Sequence, residues 1–330
     1  MASKENDMSE QTSPFHVLAY YNFTHLKDPH LEVARHQEFL KDRDICCRVY
    51  ISEEGINGQM SASPEASLAY QAWLKSDPRF KDVVFKTHYH AEHVFPRAAV
   101  KYRRQIVAMD EKVDMALGGE RVSPQKWKEM LEQRDEKTIV LDVRNEYEWV
   151  IGHFEGAELP SLENFREFPH YARKLKEECD PKETKVMMYC TGGIRAELYS
   201  ALLKKEGFEN VYQLDGGVVN YGLQEGHDKW RGKLFVFDDR LAVPIDENTE
   251  DVISHCHHCQ GPSDIYYNCA NMDCNELFLA CPQCAENLKG CCCDACALAP
   301  RLRPYEKKDR PKPFRRSHFY EEEKKGAKAP

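Results

Sequence analysis

Chemistry in this chain concentrates in two cysteine patterns. In the first, Met187-Met188-Tyr189 runs into Cys190-Thr191-Gly192-Gly193-Ile194-Arg195, and the helix-forming run Ala196-Glu197-Leu198-Tyr199 follows. The pattern predicts a thiol at a strand-to-helix turn. Gly192 and Gly193 let the backbone curl so that several N–H groups aim at one point, and the helix N-terminus adds partial positive charge there. Both effects favour a thiolate, and Arg195, four intervening residues on, adds a permanent cation that can orient an anion. A phosphatase cradle places five residues between its Cys and Arg to embrace a tetrahedral phosphate; the smaller ring here suits a single sulfur.

The second pattern lies further on. Ten of the fourteen cysteines fall between Cys256 and Cys296. Pairs separated by two residues can chelate one tetrahedral ion, and two pairs complete a four-thiolate site. The spacing predicts one zinc or two: an interleaved arrangement gives Cys256, Cys259, Cys281 and Cys284 to one ion, and Cys269, Cys274 and two of Cys291, Cys293 and Cys296 to another, with Cys291 and Cys296 taken as the pair. His255, His257 and His258 could replace a thiolate, and the spacing leaves an iron–sulfur cluster open. A short polar segment with few large apolar residues needs such a staple to fold.

Four motifs in order resemble the rhodanese superfamily across residues 135–230: Asp142-x-Arg144 with Glu148, Gly152-His153-x-x-Gly156-Ala157, the Cys190–Arg195 loop, and Leu214-Asp215-Gly216-Gly217. In rhodaneses the loop cysteine accepts a sulfur atom as a persulfide that the surrounding N–H groups stabilise, so the resemblance implies that capacity for Cys190. Asp142, Arg144, Glu148 and His153 are read as ties between loops and strands.

These residues need elements to hold them. Thr138–Val143, Lys185–Tyr189 and Val211–Leu214 read as strands separated by helices, which implies a parallel sheet covered on both faces. Ser123-Pro124 starts a helix with Trp127, Met130 and Leu131 on its apolar face. Upstream, strands at His16–Phe23, Ile45–Ile51, Gln59–Ser61 and Val83–His90, with helices at Pro29–Arg43 and Pro64–Leu74, give the order β-α-β-β-α-β of a ferredoxin-like domain. Glu53-Glu54-Gly55-Ile56-Asn57-Gly58 is expected to be the connection between its middle strands. The chain therefore divides into a disordered leader (1–13), the ferredoxin-like domain (14–105), a connecting segment and helix (106–134), the rhodanese domain (135–230), a cysteine-rich metal-binding region (231–300) and a basic disordered tail (301–330). Lys101, Arg103 and Arg104 at the end of the first domain are candidate RNA contacts.

This combination resembles the tRNA uridine(34) hydroxylase family over nearly the whole chain. Glu54-Gly55-Ile56-Asn57-Gly58, Cys190–Arg195 and Phe235-Val236-Phe237-Asp238-x-Arg240 are similar to its strings E-G-I-N-G, C-T-G-G-I-R and F-V-F-D-x-R. Members use dioxygen to place a hydroxyl on carbon 5 of the wobble uridine, so the resemblance implies a tRNA substrate, dioxygen and a reductant, with Cys190 and Arg195 catalytic and Thr191, Gly192, Gly193 and Ile194 forming the loop. One departure stands out. The family commonly writes C-T-G-G-I-R-C-E-K, whereas Ala196 and Leu198 replace its second cysteine and its lysine here. Rival readings are a sulfurtransferase working through a Cys190 persulfide and a non-catalytic zinc- and RNA-binding protein.

Composition agrees with a multidomain cytosolic enzyme. The 330 residues are 42% hydrophobic and 31% charged, too apolar for disorder. No window approaches the ~18 apolar residues of a spanning helix, and the polar start lacks a secretory core. Cytosolic thiols stay reduced, which turns spaced cysteines toward metal or catalysis. Against a net charge of −9, residues 301–330 hold eleven Lys/Arg and five Asp/Glu, a basic end on an acidic body.

Overall fold

Alternation along β1 (Phe15–Phe23) sends Leu18 and Tyr20 to one side of a sheet, where they meet two helices. Each helix starts on a capping side chain followed by proline: Asp28 accepts from the Leu31 amide at α1 (Pro29–Leu40), and Ser63 accepts from the Ala66 amide at α2 (Pro64–Lys75). Between and after them lie β2 (Ile45–Ser52), β3 (Gly55–Ala62), β4 (Lys86–His90) and β5 (Ala98–Tyr102). The computed structural model describes residues 14–249 and 251–314. Its first sheet has the order β4-β1-β3-β2-β5, the ferredoxin-like arrangement extended by β5, which runs parallel to β2. That fifth strand escaped the sequence reading because Ala98-Ala99-Val100 carries little apolar alternation.

The helix-covered face buries Cys47, Val49, Ile51, Ile56 and Met60 against Tyr70 and Leu74, each large apolar side chain contributing on the order of 1.5–3 kcal/mol. The pleat turns the alternate positions, Ala19, Tyr21, Arg48, Tyr50 and Gln59 among them, to the other face. One expectation is corrected here. Gly55-Ile56-Asn57-Gly58 is strand, and only Glu53 and Glu54 make the turn. Gly55, next to the turn, takes the expected positive φ of 141°, and both glycines allow close approach: a Cβ on Gly55 would lie 2.0 Å from the Asn22 carbonyl oxygen, and one on Gly58 would enter the Tyr20 ring at 2.2 Å.

The second sheet is parallel throughout. Its strands are β6 (Glu120–Val122), β7 (Thr138–Asp142), β8 (Lys185–Tyr189) and β9 (Asn210–Leu214), in the order β6-β9-β8-β7. Around it pack α3 (Pro124–Glu132), α4 (Phe168–Glu178), α5 (Ile194–Lys205) and α6 (Gly217–Glu225). Charged Glu120 and Arg121 hid β6 from the sequence reading. The connecting segment is not loose, since Val107 and Met109 join the core with Val186, Met188 and Tyr199.

Of the described residues, 14–145 and 157–226 form one compact unit, and 146–156 with those from 227 to 314 form another. The Gly152–Phe154 strand, whose motif falls within the expected rhodanese domain, pairs with Trp230–Gly232 in the second unit. There Phe154 packs edge-on against Trp230, and a hairpin of Tyr266–Asn268 and Leu277–Leu279 supports the cysteines. The basic tail also departs from expectation. Arg303 donates to the Asn268 and Cys269 carbonyls at 2.7 and 2.8 Å and stacks on Phe314, so residues 301–314 lie along this unit. Buried carbonyls beside the thiols need donors, and the tail supplies them. The leader and residues 315–330 lie outside the described residues. Among those described, no helix is long and apolar enough to cross a membrane.

Candidate active-site loop and paired thiol centres

Cys190 leaves the end of β8 and is 1% exposed. The Gly193 amide donates to its Sγ at 3.1 Å, which the positive φ of 99° at Gly193 allows. Behind the loop, α6 begins at Gly217, where a Cβ would lie 2.5 Å from the Cys190 carbonyl oxygen and 2.7 Å from the Gly193 nitrogen. Only glycine fits there, so the late glycine pair is the floor of the loop. The Val218 and Val219 amides then bind the Cys190 and Thr191 carbonyls, both at 3.0 Å. Arg195 is buried, with Nη2 3.5 Å from Thr191 Oγ1. The loop expected from sequence is thus assembled around one sulfur. Ala196 is fully buried and Leu198 nearly so in the core beneath it, so no second thiol accompanies Cys190 at position 196.

Two residues that sequence reasoning missed reach this loop from the first sheet. Lys86 of β4 is buried and donates from Nζ to the Gly192 carbonyl at 2.8 Å. Burial pulls its pKa down to about 8, while negative charge at Cys190, Asp215 and Glu197 works to hold the proton on and Arg121 opposes it. Tyr21 of β1 donates to Glu197 Oε2 at 2.7 Å, its hydroxyl pushed well up by burial and then by that carboxylate, and Glu197 also binds Arg121. Lys86 stands over the Tyr21 ring, 5.1 Å from its centroid. A lysine at the start of an edge strand reads as solvated; no local signal marks it as part of a site more than a hundred residues away.

The remaining motif residues are ties, as read. Arg144 and Asp142 are both fully buried and paired at 2.6 Å. Arg240 and Asp238 repeat the same Asp-x-Arg clasp at 2.6 Å. His153 binds the Trp149 carbonyl through Nδ1 at 2.9 Å.

In the second unit, eight thiols gather into two groups of four, Cys256, Cys259, Cys281 and Cys284, and Cys269, Cys274, Cys292 and Cys296, with all Sγ atoms of a group within 4.8 Å of one another. The first group is the one expected. The second is corrected: Cys292 takes the place given to Cys291. Both Cys291 and Cys292 lie in the apolar cluster, but it is Cys292 Sγ that sits 3.8 Å from both Cys274 and Cys296. Cys293 is exposed, and His255, His257 and His258 belong to neither group. Four thiolates at about 2.3 Å from one tetrahedral ion would stand about 3.8 Å apart, the spacing seen at Cys259–Cys281 as well. A cluster that inserts inorganic sulfides would hold them further apart. Burial raises the Cys256 thiol, but the amides of Cys259, Cys281 and His258 outweigh it and bring it down to about 6, whereas the proton Cys284 shares with Cys281 lifts it to about 12. A full set of four thiolates therefore calls for a cation. Both groups fit a metal ion.

A glycine-floored Cys-x4-Arg loop at the end of a parallel strand defines a rhodanese-type domain, here joined to an acylphosphatase-like partner. The family comparisons agree: the rhodanese-like domain matches residues 123–224, the UPF0176 acylphosphatase-like domain 15–106, and the rhodanese C-terminal family 231–297. The chain belongs to the tRNA uridine(34) hydroxylase family. The tRNA uridine(34) hydroxylase of Protochlamydia amoebophila (strain UWE25) is 57% identical over 310 residues, 94% of this chain and 97% of that protein. That of Chlamydia pneumoniae is 54% identical over 310 residues, 93% and 95% of the respective chains.

Proposed function

We propose that this protein hydroxylates carbon 5 of the wobble uridine of tRNA, in the cytoplasm, with Cys190 as its essential group. The observation that carries the reading is the complete loop, one buried sulfur held by the Gly193 amide, with Arg195 reaching Thr191 and Lys86 bound to the Gly192 carbonyl of the same loop, in a chain 57% identical to a tRNA uridine(34) hydroxylase over almost its whole length. Converting C–H to C–OH with dioxygen releases the second oxygen as water and consumes two electrons and two protons, so dioxygen and a two-electron donor are co-substrates. Arg195 supplies fixed positive charge near the sulfur, Lys86 supplies charge that depends on pH, and the glycines keep the backbone close enough to hold the anion. Because position 196 is alanine, the reaction runs on one loop thiol. Each four-thiol group holds one zinc in a structural role.

The test is nucleoside analysis of tRNA from cells lacking the gene beside complemented cells, grown under heavy-isotope dioxygen. Exchange of oxygen for sulfur and addition of oxygen share a nominal mass, so label and retention time separate them. Loss of labelled 5-hydroxyuridine with thiouridines intact is expected; the reverse would replace this reading by sulfur transfer.

Lys86 gives the reaction a pH signature. Protonated below pH about 8, it favours an anion on Cys190; as pH rises through that value the charge goes, and turnover falls. Lys86→Met is expected to lower turnover roughly tenfold, the scale of one charged hydrogen bond, and to erase the alkaline limb. The depressed pKa also means the unfolded chain binds more protons between about pH 8 and the ordinary lysine range, so this group's contribution to stability rises with pH there. A variant that keeps both the limb and the slope would exclude Lys86 from this role.

A further inference from the structure

The face of the first sheet opposite its helices is walled at both ends. At one end Val94 and Phe95 pack on Val17 of β1; at the other Tyr21 of the same strand holds Glu197, beside the Cys190 loop. Four residue steps of strand separate the walls, about 13 Å, room for one nucleic-acid strand with its bases laid on the sheet. The open face carries a distinct chemistry. In a chain of net charge −9, none of the open-face residues on these five strands is acidic. Arg48 and Lys86 lie between the walls, level with Ala19, while Lys101 and Tyr50 lie level with Tyr21 and Arg103 follows, stacking on Tyr50 at 4.9 Å. Arg104 has the opposite parity and interacts with Tyr102, which stacks on His30 of α1, so it does not belong to the strip.

We propose that this strip seats the single-stranded anticodon nucleotides that carry the target uridine to Cys190, with Tyr50 and Arg103 stacking on bases and Arg48 and Lys101 holding phosphates. Charge complementarity and continuity with the loop argue for RNA as the occupant: a cationic, aromatic, acid-free strip that ends at the reactive sulfur is what a single-stranded polyanion needs. The proposal rests on the reading that tRNA is the substrate.

Its test uses the full-length protein and a synthetic RNA stem-loop with uridine at the wobble position, with affinity measured by fluorescence anisotropy over a salt series. Tyr50→Ala is expected to weaken binding roughly tenfold. Substituting glutamine together at Arg48, Lys101 and Arg103 should weaken it further and flatten the slope of log affinity against log salt by about 0.7 for each lost phosphate contact. Ala99→Arg, which adds charge to the same face, should tighten binding and steepen the slope, a gain that misfolding cannot imitate. Lys41→Gln, exposed at the end of α1, should change nothing. Wild-type affinity and slope in the triple variant, or no gain from Ala99→Arg, overturns the proposal, whether the strip then binds another macromolecule or none. Failure of the substrate reading shows separately, as 5-hydroxyuridine that persists in tRNA from cells without the gene.

Discussion

Cys190→Ala is expected to reduce 5-hydroxyuridine formation by on the order of 10³-fold or more, the scale of losing a group that reacts covalently, while the protein stays folded. The sulfur is 1% exposed and lies in the core cluster with Leu141, Val186 and Met188. Removing one atom there leaves a cavity smaller than a methylene series produces, so the thermal cost should stay near or below about 1–2 kcal/mol. Its functional cost comes from the loop, where the Gly193 amide at 3.1 Å is aimed at sulfur and at nothing else. Cys179→Ser is the control, since that thiol donates to the Leu175 carbonyl at 3.1 Å within α4. It should retain activity. Arg195→Lys should fall between the two, keeping the charge but losing the planar fork that reaches Thr191. Undiminished 5-hydroxyuridine from Cys190→Ala would remove the loop from the mechanism.

Metal removal is expected to have the larger effect on folding. The core of the thiol-bearing region is built around the cysteines themselves, with Tyr267, Ala270, Phe278 and Ala285 packed against Cys256, Cys269, Cys291 and Cys292. So small a core cannot by itself offset the conformational entropy of ordering the segment, and structural zinc contributes roughly 10–16 kcal/mol in comparable sites. Elemental analysis should find two zinc ions per chain. A strong chelator should expose residues 251–314 to protease, and Cys292→Ser should cost one ion and Cys256→Ser the other. Cys293→Ser, on an exposed side chain, should cost neither. If Cys291→Ser removes an ion and Cys292→Ser does not, the second four-thiol group has been drawn with the wrong member.

These sites were legible to different depths. The Cys190 loop could be read whole, because its six residues are contiguous and the strand before and helix after them are patterned locally. The first thiol group could be read too, since two Cys-x-x-Cys pairs fix their own chelating geometry. The run Cys291-Cys292-Cys293 resisted the same logic: three adjacent thiols offer equal spacing, and only the path of the backbone decides which faces the ion. Gly58 misled for a related reason, whereas Gly55 does take a positive φ beside the turn. Glycine marks a turn or a close approach, and the Tyr20 ring that makes Gly58 a close approach lies across the strand pairing, not next to it in the chain.

The sequence by itself determined the reactive sulfur, its four-residue gap to Arg195, the alanine at 196 and the number of thiols available to metal, because each depends on residue identity and short spacing. Tertiary structure decided what surrounds them. Strand register brings Lys86 and Tyr21 to a loop more than a hundred residues away, β5 sets Lys101 and Arg103 beside Tyr50, and the tail donates Arg303 to the carbonyls next to Cys269. Those placements follow from pairing and burial summed over whole sheets, and such sums leave no mark on the few residues either side of a lysine.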